Sequence, residues 1–483
     1  MNSLASPAST ATNTDDQHQR YSLLYTVFVV LVLITPLPFG AYPTWAWASL
    51  SLGCGILLCG WGFSVLCRRI PFTTPPQLVW WSGAAIGLSL LWGFIQTVQF
   101  TPVSWHHPVW SDTELALGIP ALGAVSIDPT AGRDSLLRMA TYAGIFWLSF
   151  QYCRDSKRTF FTLKAIAICI AMYAMYGLVI LFLGSDRILW FEKSIYTDVV
   201  TSTFVNPNSF GAYCGIGLLC STALLMKQFR IGTEDRVGTA EHLRFFLVEF
   251  IPRNASILIA WSVMASALML SLSRAVAAAT GLALLSLYLV LLARRKIAVH
   301  KMLFRIFGVV SIACFMLFIA GQDLIQKLWK TGSDFPLRAE IYLQTLMAIE
   351  DRPILGTGLG TFASMYRSYR TEDIRPGVTK AHNDYLEIVL ELGIPAGVLL
   401  LLSIVLLAVI CVRGIWVRRR NYEYPALGFA TCILMGIHSL ADFSMQIPAV
   451  AATFMLVLGM AVTQSHSTMS GGGARHVLRR FQA

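Results

Sequence analysis

The chain has 483 residues, of which 55% are hydrophobic and 13% are charged, and its mean hydropathy is +0.62. Soluble domains carry about 25% charged residues, so this composition excludes a soluble protein and indicates an integral membrane protein. The net charge of +11 does not call for a nucleic-acid partner, because most Lys and Arg residues lie in short segments between apolar runs, as cytoplasmic loops do.

Twelve apolar runs predict transmembrane helices, since a helix needs about 20 residues to cross a bilayer. The predicted spans are residues 21–40, 44–66, 78–98, 136–153, 160–183, 204–226, 254–272, 275–293, 303–320, 385–412, 425–440 and 447–463. Most basic residues lie in every second segment between these spans. This pattern predicts that those segments and both termini are cytoplasmic. The predicted fold class is all-α, a polytopic membrane protein with about 12 transmembrane helices.

The predicted organisation is a membrane domain between two polar tails. Residues 1–20 are predicted to be a disordered cytoplasmic tail because they are rich in Ser, Thr and Asp. The membrane domain is assigned to residues 21–463, and residues 464–483 form a second cytoplasmic tail. One large loop, residues 321–384, is predicted to lie on the outer side of the membrane, opposite the cytoplasm.

The large loop contains the sequence DFPLRAEIYLQTLMAIEDRP, which predicts an amphipathic helix. Pro336 suits the first turn of a helix, and Pro353 prevents its continuation. The following sequence GTGLGTF lacks the spacing of a phosphate-binding loop and predicts a tight turn.

Two arginines are candidates for binding an anion. Arg274 lies in LSLSRA, between the seventh and eighth predicted spans. It is either a snorkelling side chain at a helix end or an anion site, because a charge among apolar helices is costly. Arg338 begins the loop helix, and it either pairs with Asp334 or Glu340 or binds a phosphate through two hydrogen bonds.

His382 is the candidate general base. It precedes Asn383, which is predicted to be the N-cap of the tenth span. The positive end of that helix favours a neutral imidazole, which a general base requires. The alternative is a histidine that only caps a helix at the membrane interface.

Further polar residues stand beside predicted spans. Asn206 and Asn208, in FVNPNSFGAY, form a turn before the sixth span. They either cap this helix or bind sugar hydroxyls. His438 and Asp442, in HSLADFSMQIP, are either a structural hydrogen-bonded pair or part of the wall of the cavity that would bind the sugar.

Metal ligation is not predicted. The chain has no Asp-x-Asp sequence and no His/Cys cluster with ligand spacing. We therefore expect neither a metal-bound nucleotide sugar as donor nor any cofactor.

In these motifs the chain resembles the O-antigen ligase and polymerase superfamily of bacterial surface-polysaccharide enzymes. The similarity covers roughly residues 130–460, most strongly 200–400. It rests on the ordered sequences FVNPNSFGAY, LSLSRA, RAEIYLQTLMAIEDRPILGTGLGTF, AHNDYLEIVLELG and HSLADFSMQIPAV.

The resemblance implies a metal-independent, inverting glycosyltransferase in the bacterial inner membrane, with its active site facing the periplasm. Its donor would be a glycan on undecaprenyl pyrophosphate, and its acceptor would be lipid A-core or another glycan. The product would serve lipopolysaccharide or exopolysaccharide biosynthesis. The family's loop arginines and histidine match Arg274, Arg338 and His382, which are the predicted catalytic residues. The predicted substrate-binding residues are Asn206, Asn208, Asn383, Tyr385 and His438.

Three alternatives remain at the level of sequence. A polymerase that joins lipid-linked repeat units shares these motifs with a ligase. A protein O-glycosyltransferase is a weaker candidate. A lipid-glycan transporter belongs to another class, and it predicts charged residues within several spans and paired internal repeats, neither of which the sequence indicates.

Overall fold

The computed structural model describes residues 22–68, 72–233, 239–294, 334–369 and 378–466. These residues are mainly α-helical, which confirms the predicted all-α polytopic membrane fold. Six of the described helices are long and apolar enough to cross a membrane, and three shorter apolar helices accompany them. The total of twelve spans stays a prediction, because the predicted span 303–320 lies outside the described residues.

The first half of the chain contains seven described helices and one hairpin. The helices are α1 Ser22–Leu33, α2 Thr44–Leu66, α3 Trp80–Gln96, α4 Val109–Leu117, α5 Pro129–Tyr152, α6 Ser156–Phe182 and α7 Pro207–Thr233. Between α6 and α7, the strands β1 Arg187–Ile188 and β2 Phe191–Glu192 pair antiparallel.

The described second half contains eight helices. They are α8 Thr239–Arg244, α9 Ile251–Leu270, α10 Arg274–Arg294, α11 Asp334–Asp351, α12 Phe362–Tyr369, α13 Asp384–Val417, α14 Glu423–His438 and α15 Pro448–Gln464. A π-helical turn, Phe245–Phe250, joins α8 to α9.

The first helix is shorter than the predicted span 21–40. Helix α1 ends at Leu33, and turns followed by a 3-10 turn at Phe39–Ala41 replace its predicted last part. Pro36 and Pro38 explain the difference, because proline lacks a backbone N–H and disfavours helical geometry at the residue before it.

The fourth span begins earlier than the predicted residue 136. Helix α5 starts at Pro129, where the carboxylate of Asp128 accepts the amide hydrogens of Thr130 and Ala131, each at 3.0 Å. Proline at the first position and an Asp cap are both typical of a helix start. Polar residues lower the hydropathy of the first two turns, so the apolar run that predicted this span begins only at residue 136.

Helix α15 is the centre of the bundle. All of its residues, Pro448–Gln464, are buried, as expected for a helix that is apolar on every side. It packs against α5, α7, α13 and α14. A Cβ atom built on Gly459 would lie 2.5 Å from the carbonyl oxygen of Phe146, so a glycine permits the close approach of α5 and α15.

Helix α13 is broken near its start. Gly393 has φ 77° and ψ 161°, which are not helical angles, and a left-handed φ is readily available only to glycine. Pro395 follows and has no N–H to donate. The break leaves backbone carbonyls without their helical partners.

The glycine-rich turn after α11 satisfies these carbonyls. The amides of Thr357 and Gly358 donate to the carbonyl oxygens of Leu390 and Glu391 at 3.1 Å and 2.9 Å. A broken helix at membrane depth requires such partners. The prediction that GTGLGTF forms a tight turn is confirmed, and its role is to complete α13.

The predicted loop helix is confirmed as α11, Asp334–Asp351. Its residues Ile341 and Ile349 are buried, in a cluster that also includes Phe362 of α12 and Leu390 of α13. The predicted apolar stripe is only partly covered, because Leu337 remains 42% exposed. The helix therefore packs beside the first turns of α13. Residues 321–333 and 370–377 of the predicted loop lie outside the described residues.

Candidate functional site

The candidate site lies at the end of the bundle where α14 ends and α7, α13 and α15 begin. We call this the site end. Its central contact joins Nδ1 of His382 to Oδ1 of Asp442 at 3.3 Å. The Asp442 side chain is 1% exposed, whereas that of His382 is 27% exposed. Within the described ranges, Nε2 of His382 has no hydrogen-bond partner, so one ring nitrogen is anchored and the other is accessible.

Asp442 is held as a carboxylate. Its Oδ2 accepts a hydrogen bond from Nδ2 of Asn208, and its Oδ1 also accepts the amide hydrogen of Phe443 at 2.8 Å. Burial by itself raises the pKa of Asp442. The hydrogen bond and charge of His382, with His438 and the Phe443 amide, outweigh burial and lower this pKa below its usual value. An ionised Asp442 can accept the Nδ1 hydrogen of His382 in either protonation state of the ring, and in the neutral ring this arrangement leaves Nε2 as the acceptor.

The backbone of His382 is held in an uncommon conformation. Its φ is 52°, in the left-handed region that non-glycine residues seldom adopt. The predicted N-cap is confirmed, because Oδ1 of Asn383 accepts the amide hydrogens of Tyr385 and Leu386 at 3.0 Å and 3.2 Å. The hydroxyl of Tyr342 donates to the carbonyl oxygen of His382 at 2.8 Å. Strained residues of this kind occur often at functional sites.

Arg338 joins α11 to the segment that carries Asp442. Its Nη1 donates to the carbonyl oxygen of Ala441 at 2.7 Å. This contact places the guanidinium one residue from Asp442. The sequence predicted either a pairing with an acid or a phosphate site, and the bond to Ala441 is neither of these. It uses one N–H group of Arg338 and leaves others available for a ligand.

The two asparagines before α7 meet the site in different ways. Oδ1 of Asn206 accepts the amide hydrogen of Asn208 at 2.8 Å. Asn208 in turn donates to Asp442, as described above. The turn therefore supports Oδ2 of the carboxylate, whereas His382 contacts Oδ1.

Arg274 is the first residue of α10 and is exposed. The corner before it packs on α7, because a Cβ built on Gly211 would lie 3.3 Å from both Oγ of Ser271 and Cγ1 of Val276. Arg274 is therefore at the site end. Among the described residues, its guanidinium makes no hydrogen bond or ion pair with another side chain of the site.

Two predicted substrate-binding residues are engaged within the protein. The hydroxyl of Tyr385 donates to the carbonyl oxygen of Gly436 at 2.7 Å. His438 is 1% exposed, and its Nε2 is 2.8 Å from Oγ of Ser444. Its Nδ1 is buried without a hydrogen-bond partner in the described parts of the chain.

The predicted hydrogen bond between His438 and Asp442 is formed by the backbone and not by the two side chains. His438 and Asp442 share only a backbone hydrogen bond, from the Asp442 amide to the His438 carbonyl at 3.1 Å. The carboxylate of Asp442 is directed to His382 and Asn208 instead. The i, i+4 spacing suggested a local pair, and a contact between distant segments replaced it.

A metal centre is not formed by the described residues: they contain no group of three or more His, Cys, Asp or Glu side chains that could hold an ion. The use of no metal stays a prediction.

The fold and the site define a polytopic membrane protein with a His–Asp pair and an arginine at one end of its helix bundle. Residues 259–401 match the family model for O-antigen ligase, Wzy_C, and this confirms the resemblance to the O-antigen ligase and polymerase superfamily. The matched residues include Arg274, Arg338 and His382. No curated protein matches the chain.

The family match supports a coarse function. It implies a glycosyltransferase-like enzyme of the O-antigen ligase or polymerase type, which acts in glycan assembly. It also points to lipid-linked glycans as substrates.

Proposed function

We propose that this protein transfers a glycan from undecaprenyl pyrophosphate to an acceptor hydroxyl at the periplasmic face of the bacterial inner membrane. The proposed reaction is that of an O-antigen ligase, with lipid A-core as acceptor. It uses neither a metal nor another cofactor, and it serves lipopolysaccharide or exopolysaccharide biosynthesis.

The observation that carries the proposal is the pair formed by His382 and Asp442. A general base needs an accessible acceptor atom and a fixed orientation. Nε2 of His382 is the accessible atom, and the 3.3 Å contact of Nδ1 with Asp442 supplies the orientation. When the ring accepts a proton, the adjacent carboxylate stabilises the resulting imidazolium.

The proposed transfer is a single displacement. The acceptor oxygen attacks the anomeric carbon and forms a new C–O bond, while the bond from that carbon to the pyrophosphate oxygen breaks. The hydroxyl proton passes to Nε2 of His382. The bonding electrons leave with undecaprenyl pyrophosphate, and the anomeric configuration inverts.

Arg338 and Arg274 are the proposed binding groups for the pyrophosphate. A guanidinium can donate two parallel hydrogen bonds to phosphate oxygens. Positive groups aimed at a leaving group stabilise the charge that develops on it, most strongly where water is excluded. Two observations support this role. Arg338 binds Ala441, the residue before Asp442, and Arg274 is exposed at the site end.

The remaining predicted residues have supporting roles in the proposal. Asn208 holds Asp442, while Asn206, Asn383, Tyr385 and His438 stay predicted substrate-binding residues. All four already bind protein atoms, so we propose that they contribute to substrate binding by fixing the shape of the site.

The experiment that tests the proposal is a reconstitution with one defined lipid-linked oligosaccharide and two acceptors offered separately. Transfer to lipid A-core alone supports a ligase. Elongation of a second lipid-linked glycan identifies a polymerase, which is the alternative. The matched control is the His382→Ala variant in the same vesicles, and transfer to neither acceptor by the unaltered protein would contradict the proposal.

A further inference from the structure

The segment before His382 is held by one buried carboxylate. Glu387, in the first turns of α13, is 2% exposed. Its Oε1 accepts a hydrogen bond from Nζ of Lys380 at 3.1 Å, and its Oε2 accepts the amide hydrogen of Ala381 at 2.9 Å. Both oxygens of Glu387 are thus used on the two residues that precede His382.

The side chain of Gln446 connects the residue two positions before His382 to the residue two positions after it. Oε1 of Gln446 accepts a hydrogen bond from Nζ of Lys380. Nε2 of Gln446 donates to Oδ1 of Asp384 at 3.1 Å, and Oγ of Ser439 donates to Oδ2 of the same carboxylate at 2.8 Å. Residues 380–384 are therefore fixed before and after the histidine.

The ion pair is maintained although it is largely removed from water. Burial lowers the pKa of Lys380, but the charges of Glu387 and Glu391 and the hydrogen bond to Glu387 outweigh this effect and raise it. Lys380 therefore stays an ammonium group. An ion pair in such surroundings needs good geometry and additional hydrogen bonds, and the Ala381 amide supplies one of them.

We propose that Glu387 is a positioning residue that holds His382 in its left-handed conformation through Lys380 and the Ala381 amide. The inference rests on the proposed role of His382 as the base. A left-handed non-glycine residue persists where its surroundings determine its conformation, and a catalytic group displaced by about 1 Å can lose about 10²-fold in rate. Glu387 touches neither substrate nor reacting atoms.

A charge-swap variant separates the ion pair from the amide contact. Lys380→Glu combined with Glu387→Lys restores opposite charges, but a lysine at position 387 cannot accept the Ala381 hydrogen. We expect this double variant to regain thermal stability relative to Glu387→Ala. Its kcat should stay about 10-fold or more below normal, with KM for the lipid-linked donor unchanged. A normal kcat in the double variant would overturn the proposal.

Glu391 provides the matched control. It lies on the same helix and is 6% exposed. Its Oε1 accepts the amide hydrogen of Phe362 at 3.1 Å, and it acts on Lys380 through its charge alone, so Glu391→Gln leaves the hydrogen bonds of Glu387 to Lys380 and Ala381 in place. Glu391→Gln retains an acceptor for that amide, so its kcat should remain near normal. An equal loss of kcat in Glu391→Gln and Glu387→Gln would overturn the proposal, because the effect would then belong to α13 as a whole.

A chemical measurement tests the positioning without relying on transfer. Diethyl pyrocarbonate modifies accessible imidazole nitrogens, and mass spectrometry of the peptide that contains His382 gives the rate. We expect Glu387→Ala to change this rate several-fold while buried His438 stays unreactive. An unchanged rate would overturn the proposal. If His382→Ala transferred glycan normally, the proposed function would fail, while the modification rate would still decide whether Glu387 positions the histidine.

Discussion

The hydroxyl of Tyr342 donates a hydrogen bond to the backbone carbonyl of His382 at 2.8 Å, across 40 positions of sequence. Burial raises the pKa of Tyr342, so the hydroxyl remains a donor at neutral pH. The same hydroxyl lies 3.2 Å from the carbonyl oxygen of Leu440. One side chain of α11 therefore holds the segments that carry His382 and Asp442.

The variant Tyr342→Phe should weaken this connection. The partly buried carbonyl of His382 loses its donor, and a buried polar group without a partner costs about 1–3 kcal/mol. We expect a lower unfolding temperature and a several-fold lower transfer rate. Tyr173→Phe is the control, because it removes a phenol that donates to a different carbonyl, that of Leu33 at 3.2 Å. Equal rate losses in the two variants would show that the Tyr342 contact has no special role.

His382→Ala should slow transfer by roughly 10²–10⁴-fold, the range for loss of an acid–base group. Binding of the lipid-linked donor should persist, because in the proposed site the arginines and not His382 hold the pyrophosphate. His382→Gln should be nearly as slow, since an amide cannot accept the proton. Near-normal turnover in the glutamine variant would show that His382 is not the general base.

Asp442→Asn should reduce both the rate and the pH dependence of stability. The folded state lowers the pKa of Asp442, so its carboxylate stabilises the fold above the unfolded-state pKa. This contribution is lost as the pH falls through the lower, folded-state pKa. The unfolding temperatures of the normal protein and the variant should therefore differ at pH 7 and converge as the pH falls below about 4. A difference that grew in acid would contradict the assignment of Asp442 as a carboxylate.

Arg338→Lys should lose most transfer activity although the charge is unchanged, because an ammonium cannot form the two parallel hydrogen bonds of a guanidinium. Arg352→Lys is the control, since Arg352 follows the same helix and donates to the carbonyls of Trp105 and His106. The measurement is kcat/KM for the lipid-linked donor. Near-normal activity in Arg338→Lys, with none in Arg338→Ala, would mean that charge alone matters. Normal activity in both variants would make Arg338 a surface residue.

The predicted topology can be tested by labelling two exposed positions. A cysteine at Ser368 should react with a membrane-impermeant thiol reagent in intact spheroplasts, whereas one at Arg419 should not. Both residues are exposed, so burial does not limit the reaction. The exposed native residues Cys59 and Cys67 should first be replaced by alanine. The reverse labelling pattern would contradict both the topology and a periplasmic site.

Local signals predicted most of the described helices. Helix α2, Thr44–Leu66, has the predicted bounds. Pro336 lies in the first turn of α11, and Pro353 follows its end at Asp351. Asn383 caps α13 as its residue type indicated. Such features depend on neighbouring residues, so a single sequence contains enough information to predict them.

Two central features could not be predicted in this way. The contact between His382 and Asp442 spans 60 positions, and no local pattern specifies such a pairing. The break at Gly393 lies in an apolar run of high hydropathy, which predicts one continuous helix. A signal was present in the glycine–isoleucine–proline sequence at positions 393–395, because this combination favours interruption of a helix.

The break in α13 is completed by a turn that precedes this helix in the chain. The amides that complete the broken helix belong to Thr357 and Gly358, which the ribosome makes before it makes α13. The turn is therefore synthesised before the helix that it completes, and we expect the interrupted helix to find its partners as it enters the membrane. A circular permutation that moved the turn behind α13 would leave Leu390 and Glu391 with unsatisfied carbonyls during insertion, and such a chain should be degraded more readily than one permuted elsewhere.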